Sequence, residues 1–198
     1  MKTKLLLTAA VCALTAVSAS AQTAEGSWLV RARAVHLDSA NKDSTGLGLT
    51  INNKWLPEVD FTYFLNSNLA AELILTVPQK HKVYSFGSKI GTLKHLPPTL
   101  TVQYHFTNLG ALKPYVGAGV NYTRFSAVHV LDGVATVKKN SFGPALQAGL
   151  DFAIAPNVYL NLDVKKVWIK TDVKAGGVKV GRFKVDPVLV GLGVGYRF

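Results

Sequence analysis

The feature that most constrains this chain is a two-residue alternation of apolar residues with small or polar ones. It recurs in eight segments, 28–35, 55–64, 69–77, 99–106, 115–123, 141–153, 158–165 and 188–198. Because successive side chains of a β-strand point to opposite faces, each segment is predicted to be a strand with one apolar face. The last segment keeps this rhythm to the final residue, Phe198.

The second face of these strands is rich in Gly, Ala, Asn and Gln and carries charges of both signs. A soluble β-sandwich also alternates, but its polar face meets water. Small residues and compensating charges suit a narrow lumen instead, and eight strands enclose one that side chains can fill. We therefore favour an all-β, eight-stranded antiparallel transmembrane barrel with its apolar face toward lipid. The charges predicted to plug its lumen are Arg31, Glu58, Asp60, Glu72, Asp151, Asp163, Lys165 and Arg197.

The connections between the predicted strands alternate in length. Short turns at 65–68, 108–111 and 155–157 alternate with long links at 38–54, 78–98, 127–140 and 172–182. Outer-membrane barrels have short periplasmic turns and long external loops, which fits this order. Outward aromatic residues near the short turns predict an interfacial girdle. They are Trp28, Phe61, Tyr63, Tyr104, Phe106, Phe152, Tyr196 and Phe198.

The first 21 residues have the features of a secretory signal peptide. Lys2 and Lys4 precede an apolar run that is too short for a spanning helix, and Ala19-Ser20-Ala21 forms a cleavage site. We expect a signal peptide over 1–21 and a single barrel domain over 22–198. Removal of this segment takes away Lys2 and Lys4, which lowers the formal net charge from +11 to +9, and also Cys12, the chain's one cysteine.

The basic charge is expected to meet lipid rather than nucleic acid, because the protein is exported. Contact with lipopolysaccharide in the anionic outer leaflet is one interpretation of the external basic residues, and a solvated surface is the other. The residues are Lys80, Lys82, Lys89, Lys94, Lys138, Lys139, Lys170, Lys174, Lys179, Arg182 and Lys184. Lys166 has lipid-facing parity, so it is predicted to snorkel at the outer interface unless a bulge reverses the strand.

Inward apolar residues in the external half, namely Leu56, Phe125, Phe183 and Leu189, are candidates to line a pocket for an apolar ligand. With the charges below them they predict a cup open to the outside, the alternative being a barrel plugged throughout. His95, Pro97 and Pro98 belong to a stretch whose prolines forbid ladder hydrogen bonds. This stretch is interpreted either as a rigid start to the fourth strand or as a shaped wall of the channel mouth.

Nothing in the sequence favours catalysis. The histidines are scattered, and His105 is expected to be the only one that faces the lumen within a strand. No metalloprotease, nucleophile-elbow or phosphate-loop motif is present. We expect no enzyme activity, no cofactor and no metal.

Four segments resemble the outer membrane protein W (OmpW) family: "VPQKHKV" (77–83), "KHLPPTLTVQYHF" (94–106), "KPYVGAGVNYT" (113–123) and "VDPVLVGLGVGYRF" (185–198). The resemblance implies an eight-stranded barrel in a Gram-negative outer membrane, with a narrow, partly hydrophobic channel for passive uptake of small hydrophobic molecules. A structural or adhesive surface barrel is the alternative. Tyr196 and Phe198 resemble the C-terminal signal that barrels present to the outer-membrane assembly machinery, and we expect a monomer.

Overall fold

A computed structural model describes residues 26–130 and 134–198, so the predicted signal peptide and its cleavage site lie outside the described residues. Apart from turns, the described chain is built from strands. They are β1 (Trp28–Asp38), β2 (Lys42–Asp43), β3 (Leu49–Ile51), β4 (Lys54–Phe64), β5 (Leu69–Thr76), β6 (Gln79–Ser85), β7 (Ser88–Leu96), β8 (Thr99–His105), β9 (Leu112–Val130), β10 (Ala135–Val137), β11 (Asn140–Ala155), β12 (Val158–Val167), β13 (Lys170–Ala175), β14 (Val178–Lys184) and β15 (Val188–Arg197). No helix in this part of the chain has the length and apolarity that crossing a membrane requires.

Eight of these strands form the closed antiparallel barrel, which confirms the predicted fold. Their order around the wall is β1-β4-β5-β8-β9-β11-β12-β15, and β15 pairs with β1 to close it. The seam extends to the last residue: the Trp28 amide donates to the Phe198 carbonyl at 3.0 Å, and the Phe198 amide donates back at 2.8 Å. Closure leaves no strand edge in lipid, where unpaired backbone groups are costly.

The alternation read from the sequence becomes the inside and outside of the wall. In β4 every second residue from Leu56 to Phe64 is buried, and the residues between them are exposed. The outward aromatic residues lie near the short turns; Trp28 and Tyr63 pack at a 4.9 Å ring-centroid distance, and Tyr104 and Phe106 at 5.1 Å. This face suits lipid, whereas in water it would be a large exposed apolar surface.

The long external links differ from the loops that the sequence predicts, because they contain strands. β3, β6, β7, β10, β13, β14 and β2, joined by the outer part of β9, form a sheet that extends the wall above the barrel. Its strands are short, and register shifts interrupt them at Val83/Tyr84, Thr92/Lys94 and Val173/Lys174. These irregularities break the period-two pattern on which strand prediction depends.

The wall has two breaks between the barrel and this extension. At the first, Pro97 and Pro98 separate β7 from β8, and the Asn121 side-chain amide donates to both proline carbonyls at 3.1 Å. At the second, β12 ends at Val167, opposite Pro187, whose carbonyl accepts from the Val167 amide.

Lys166 lies at the second break. Its ammonium donates to the Asp186 backbone carbonyl, on the segment that leads into β15. The register shifts recorded for β12 in the barrel lie at its periplasmic end, so a bulge that reverses parity does not explain this lysine. The residue is half-buried, and this contact holds its charge at the external rim.

Candidate functional site

Two small cavities lie one above the other in the external half of the molecule. The upper one, here named the outer chamber, is enclosed by the sheet extension; its lining is apolar apart from Thr136 and Thr171 and includes Leu49, Ile51, Val83, Leu93, Val173 and Phe183. The lower one, the inner chamber, lies in the mouth of the barrel. Its walls include Leu37, Leu56, Ile74, His95, Pro97 and Leu189, and its floor includes Glu58 and Lys165.

Both chambers belong to one apolar core, which contains Leu56, Phe125, Phe183 and Leu189. Of the predicted lining residues, Leu56, His95, Pro97 and Leu189 come together around the inner chamber, and Phe183 lines the outer one. Phe125 packs edge-on against His95 at a 6.3 Å ring-centroid distance. Pro98 lies at the turn itself, where its carbonyl accepts from the Tyr122 and Asn121 nitrogens.

The expectation that only His105 faces the interior within a strand is wrong. His81 in β6 and His95 in β7 are also fully buried, and their rings stack at 4.6 Å with an 18° interplanar angle. The sequence reading missed them because it treated 78–98 as a link. His105 lies near the opposite end of the lumen, where its Nε2 is 2.9 Å from the Gln103 side-chain oxygen.

Below the inner chamber, the inward charges form a network that fills the lumen. Arg31 is fully buried and meets Asp151 through two hydrogen bonds, from Nε at 3.0 Å and from Nη2 at 2.6 Å. Its Nη1 lies 3.0 Å from Asp60 and 3.5 Å from Glu72. Such bidentate arginine–carboxylate pairs are among the stronger side-chain hydrogen bonds.

A second arginine extends this network toward the inner chamber. Arg33 Nη1 lies 3.0 Å from Glu58 and 2.7 Å from Asp60, and its Nη2 lies 3.4 Å from Glu72. Lys165 then joins Glu58 at 2.6 Å to Asp163 at 2.8 Å. The structure therefore brings seven of the eight residues predicted for the plug into one cluster, together with Arg33.

Arg197, the eighth, lies at the periplasmic end of the lumen. Its guanidinium sits 3.8 Å from the centre of the Phe64 ring, and Nε donates to the Gly26 carbonyl at 2.7 Å. This position is next to the barrel seam, below the charge cluster. The terminal aromatic residues Tyr196 and Phe198 lie on the outer face beside it, with ring centroids 6.2 Å apart.

Neutral residues complete the plug, and the sequence reading gave them no role. The Tyr115 hydroxyl donates to Asp163 at 2.7 Å, the Gln147 amide donates to the same carboxylate at 2.7 Å, and the Asn161 amide donates to Asp151 at 2.8 Å. The sequence does mark these three residues: each lies on the inward-facing side of its strand, and each lies opposite a glycine of the neighbouring strand. A Cβ at Gly149 would lie 2.3 Å from the Tyr115 ring, so glycine makes room for that side chain.

The glycines on the inward face of β15 also make room for side chains of the neighbouring strand. A Cβ at Gly193 would lie 2.1 Å from the Ala32 carbonyl oxygen and 2.8 Å from the Arg33 Cγ. The alternating glycines in the C-terminal sequence therefore let the arginine stems of β1 lie flat across the neighbouring strand.

On the outer surface, lysines of the sheet extension face one another in register. Lys80 is paired with Lys94, and Lys184 lies between Lys170 and Lys42 on its two neighbouring strands. Like charges in directly opposed positions are unfavourable in a sheet unless an anion compensates them. Exposed salt bridges from Asp172 to Lys179 and Arg182, both at 3.0 Å, lie higher on the β13–β14 hairpin, and they hold the pKa of Asp172 below its usual value.

No group of three or more His, Cys, Asp or Glu within residues 26–130 and 134–198 is placed to hold a metal ion. His105 packs between two aromatic rings, with its ring centroid 4.8 Å from that of Phe64 and 5.0 Å from that of Tyr115. His105 is thus part of the packed interior of the barrel. The candidate site is the pair of chambers, which lie above the charged cluster of the lumen.

Comparison with known proteins gives one family. The sequence model of the OmpW family matches residues 24–198. An uncharacterised outer-membrane protein of Sinorhizobium fredii is 40% identical over 86% of this chain and 80% of its own length. Outer membrane protein W of Escherichia coli K12 is 33% identical over 76% of each chain.

The fold agrees with solved structures of such barrels. The structure of outer membrane protein AlkL in lipid bilayers matches with a TM-score of 0.67 at 28% identity, covering 91% of this chain and 94% of that one. Family and fold are those of outer-membrane barrels. This chain therefore belongs to the OmpW family and is a β-barrel of a Gram-negative outer membrane.

Proposed function

We propose that this barrel is a narrow, partly hydrophobic channel for passive uptake of small hydrophobic molecules. The observation that carries the proposal is the pair of small, mainly apolar cavities stacked above a polar plug, which a solute enters by displacing the side chains around them. Hydrophobic solutes dissolve in a membrane, but the polar lipopolysaccharide layer outside excludes them. An apolar path through that layer removes this barrier, because the solute stays out of the polar medium.

Passage of this kind needs no water-filled pore. The ion-paired cluster around Arg31 and Arg33 closes the lumen below the inner chamber, and opening it would separate buried charges at a high cost. A solute in the inner chamber either leaves sideways into the bilayer or waits for the plug to rearrange. The break at Pro97 and Pro98 supports the first route, since the wall beside the chamber lacks regular ladder hydrogen bonds there.

A relative adds support for the ligand class. A protein of Pseudomonas aeruginosa that is 29% identical over 70% of this chain is named dibenzothiophene metabolism operon protein PahQ. Dibenzothiophene is a fused-ring molecule with almost no hydrogen-bonding capacity. We infer that the ligands of this chain are similarly small and apolar.

The proposed partners follow from the surface. The in-register lysine rows are proposed to bind lipopolysaccharide phosphates, and the double variant Lys170→Gln/Lys184→Gln is expected to copurify with less lipopolysaccharide. An unchanged amount would contradict this contact. The barrel is proposed to act as a monomer, so a stable dimer of the purified protein would count against that assignment.

Uptake of a hydrophobic tracer by intact cells tests the function. Cells that make the protein are expected to take up the tracer faster than cells that lack it. Leu189→Asp places a charge in the inner chamber and is expected to slow uptake several-fold, because a charge disfavours apolar occupancy.

Val178→Asp is the matched control. Val178 lies in the β13–β14 hairpin and is 69% exposed, so the same charge is added outside both chambers. Uptake through this variant is expected to match the wild type. Equal uptake by cells with and without the protein would remove the channel function and favour the alternative, a structural or adhesive surface barrel.

A further inference from the structure

Three imidazole nitrogens are buried between the two chambers without a hydrogen-bond partner among the described residues. They are Nε2 of His81 and both Nδ1 and Nε2 of His95. Neither side chain is exposed to solvent. Buried polar atoms in folded proteins are nearly always paired, so three such atoms in one place require an explanation.

The hydrogen-bonding state of His81 is set by its surroundings. Its Nδ1 lies 3.0 Å from the Asn52 backbone carbonyl oxygen, which can only accept a hydrogen bond. Nδ1 therefore carries the proton, and Nε2 is left as an acceptor. Burial, aided by the neighbouring Lys54, holds the pKa of His81 below its usual value, so this ring is neutral.

His95 is also neutral, and both of its nitrogens remain unused. Burial lowers its pKa to about 3, and His81 and Lys54 contribute to the shift. A neutral imidazole has one N–H donor and one lone-pair acceptor. His95 is held by stacking on His81 and by edge contact with Phe125, contacts that fix the ring and leave both polar atoms free.

Hydrocarbon side chains, among them Leu37, Leu56, Ile74 and Leu189, form most of the inner chamber beside His95. Two hydroxyls also line it, and both are engaged: Thr76 donates to the Pro57 carbonyl and Thr99 to the Pro97 carbonyl. The polar residues of the floor are already engaged, since the Lys165 ammonium lies 2.6 Å from Glu58. The side-chain amide of Asn121, which also lines the inner chamber, donates to the carbonyls of Pro97 and Pro98.

We propose that His95 is a recognition group for a single hydroxyl on an otherwise apolar ligand, which makes small alcohols and phenols the preferred class. This inference rests on the proposed function, since it names the substrate class of the same chambers. A hydroxyl both donates and accepts, as a neutral imidazole does, so one group satisfies either nitrogen. A carboxylate or ammonium would bring an unpaired charge into the apolar chamber, and a pure hydrocarbon would leave the ring unpaired.

Two molecules of matched shape separate this inference from general hydrophobic binding. 2-Naphthol and 2-methylnaphthalene differ by a hydroxyl in place of a methyl group. Binding is measured to the full-length mature protein in lipid nanodiscs, and empty nanodiscs correct for partition into lipid. The wild type is expected to bind 2-naphthol about tenfold more tightly, the ratio expected for one well-placed buried hydrogen bond.

His95→Phe keeps a ring in place but has no hydrogen-bonding group. This variant is expected to bind 2-methylnaphthalene as the wild type does and to lose the preference for 2-naphthol. His129→Phe is the control: His129 is an exposed histidine of the same sheet extension and should keep the preference. In the wild type, the ring ¹⁵N resonances of His95 should shift with 2-naphthol and stay in place with 2-methylnaphthalene.

The outcomes separate the two proposals. If both compounds bind equally and the His95 resonances respond to neither, the inference is overturned, and water satisfies these nitrogens. If neither compound binds, the proposed function fails and the inference fails with it. The resonance shifts are read on the wild type, so the inference stays testable if His95→Phe does not fold.

Discussion

The buried charges of the lumen hold one another in place, and each depends on several partners. Glu72 lies 3.5 Å from Arg31 and 3.4 Å from Arg33, and it accepts a hydrogen bond from the Thr101 hydroxyl at 2.9 Å. Its oxygens therefore satisfy donors on β1 and β8 together. Removing one member of such a cluster costs more than a pairwise count suggests, because the remaining charges stay buried.

Glu72→Leu is expected to lower the free energy of unfolding by about 3–5 kcal/mol, the cost of leaving a buried charge without its partner. Leu73→Ala is the control, since Leu73 is the next residue, faces lipid and is 41% exposed. Urea unfolding in detergent micelles, followed by the gel shift between folded and heated protein, measures both. A larger loss for Leu73→Ala would contradict the inward assignment of Glu72.

The proline break matters at the level of the strands. Because prolines cannot donate to the ladder, the join between β7 and β8 depends on the Asn121 side chain, which donates to the carbonyls of Pro97 and Pro98 and lies 2.8 Å from the Thr99 hydroxyl. This side-chain amide, together with the Tyr122 backbone N–H that donates to the Pro98 carbonyl, holds the wall at the level of the inner chamber.

Asn121→Leu is expected to raise the amide hydrogen-exchange rates of Leu96, Thr99 and Leu100, the residues around the proline pair that carry an amide hydrogen, and to leave the periplasmic half of β8 unchanged. Asn140→Ala is the matched control, because Asn140 is exposed and accepts a hydrogen bond from the outward Tyr122 hydroxyl. Exchange that is unchanged in Asn121→Leu would show that the break is held by other contacts.

The barrel strands could be predicted from the sequence, whereas the sheet extension could not. A lipid-facing strand must be apolar on every second residue, so segments such as 188–198 carry a long regular signal. The outer strands β3 and β10 have three residues each, which is too short for a period to be read. β6 and β7 are longer, but register shifts at Val83/Tyr84 and Thr92/Lys94 interrupt their pairing, and their buried histidines did not stand out from the sequence.

For the charged plug, the sequence predicts which residues face the lumen but does not predict which of them pair. Parity alone assigns Arg31 and Asp151 to the lumen, yet they are 120 residues apart, and their contact depends on how the strands are staggered around the barrel. The alternation in the sequence predicts whether a residue faces the lumen or the lipid, but it does not predict the residue's position along the barrel axis. The cluster was therefore predictable as a set of residues, and the pairing within it was not.

For the whole molecule, the final residue closes the barrel. Phe198 exchanges two backbone hydrogen bonds with Trp28, and its ring lies on the lipid side next to Tyr196. Backbone pairing contributes to closure in any environment, whereas the exposed ring is proposed as the signal that the assembly machinery recognises.

Phe198→Ala keeps the backbone and removes the ring. We expect it to refold in detergent with nearly normal yield and to reach the outer membrane of cells in a reduced amount, while Phe198→Tyr behaves as the wild type. Quantification of the folded, heat-modifiable form in both settings measures this. Equal loss in detergent and in cells would assign the residue to closure alone.

The most direct test of the account is to locate a bound apolar solute. With methyl-labelled protein in nanodiscs, nuclear Overhauser contacts from 2-methylnaphthalene should reach the chamber residues Leu56, Leu189 and Val83. Contacts confined to lipid-facing methyl groups such as those of Leu192 and Val194 would show that the solute occupies only the bilayer, and would contradict an apolar path through the external half of the barrel.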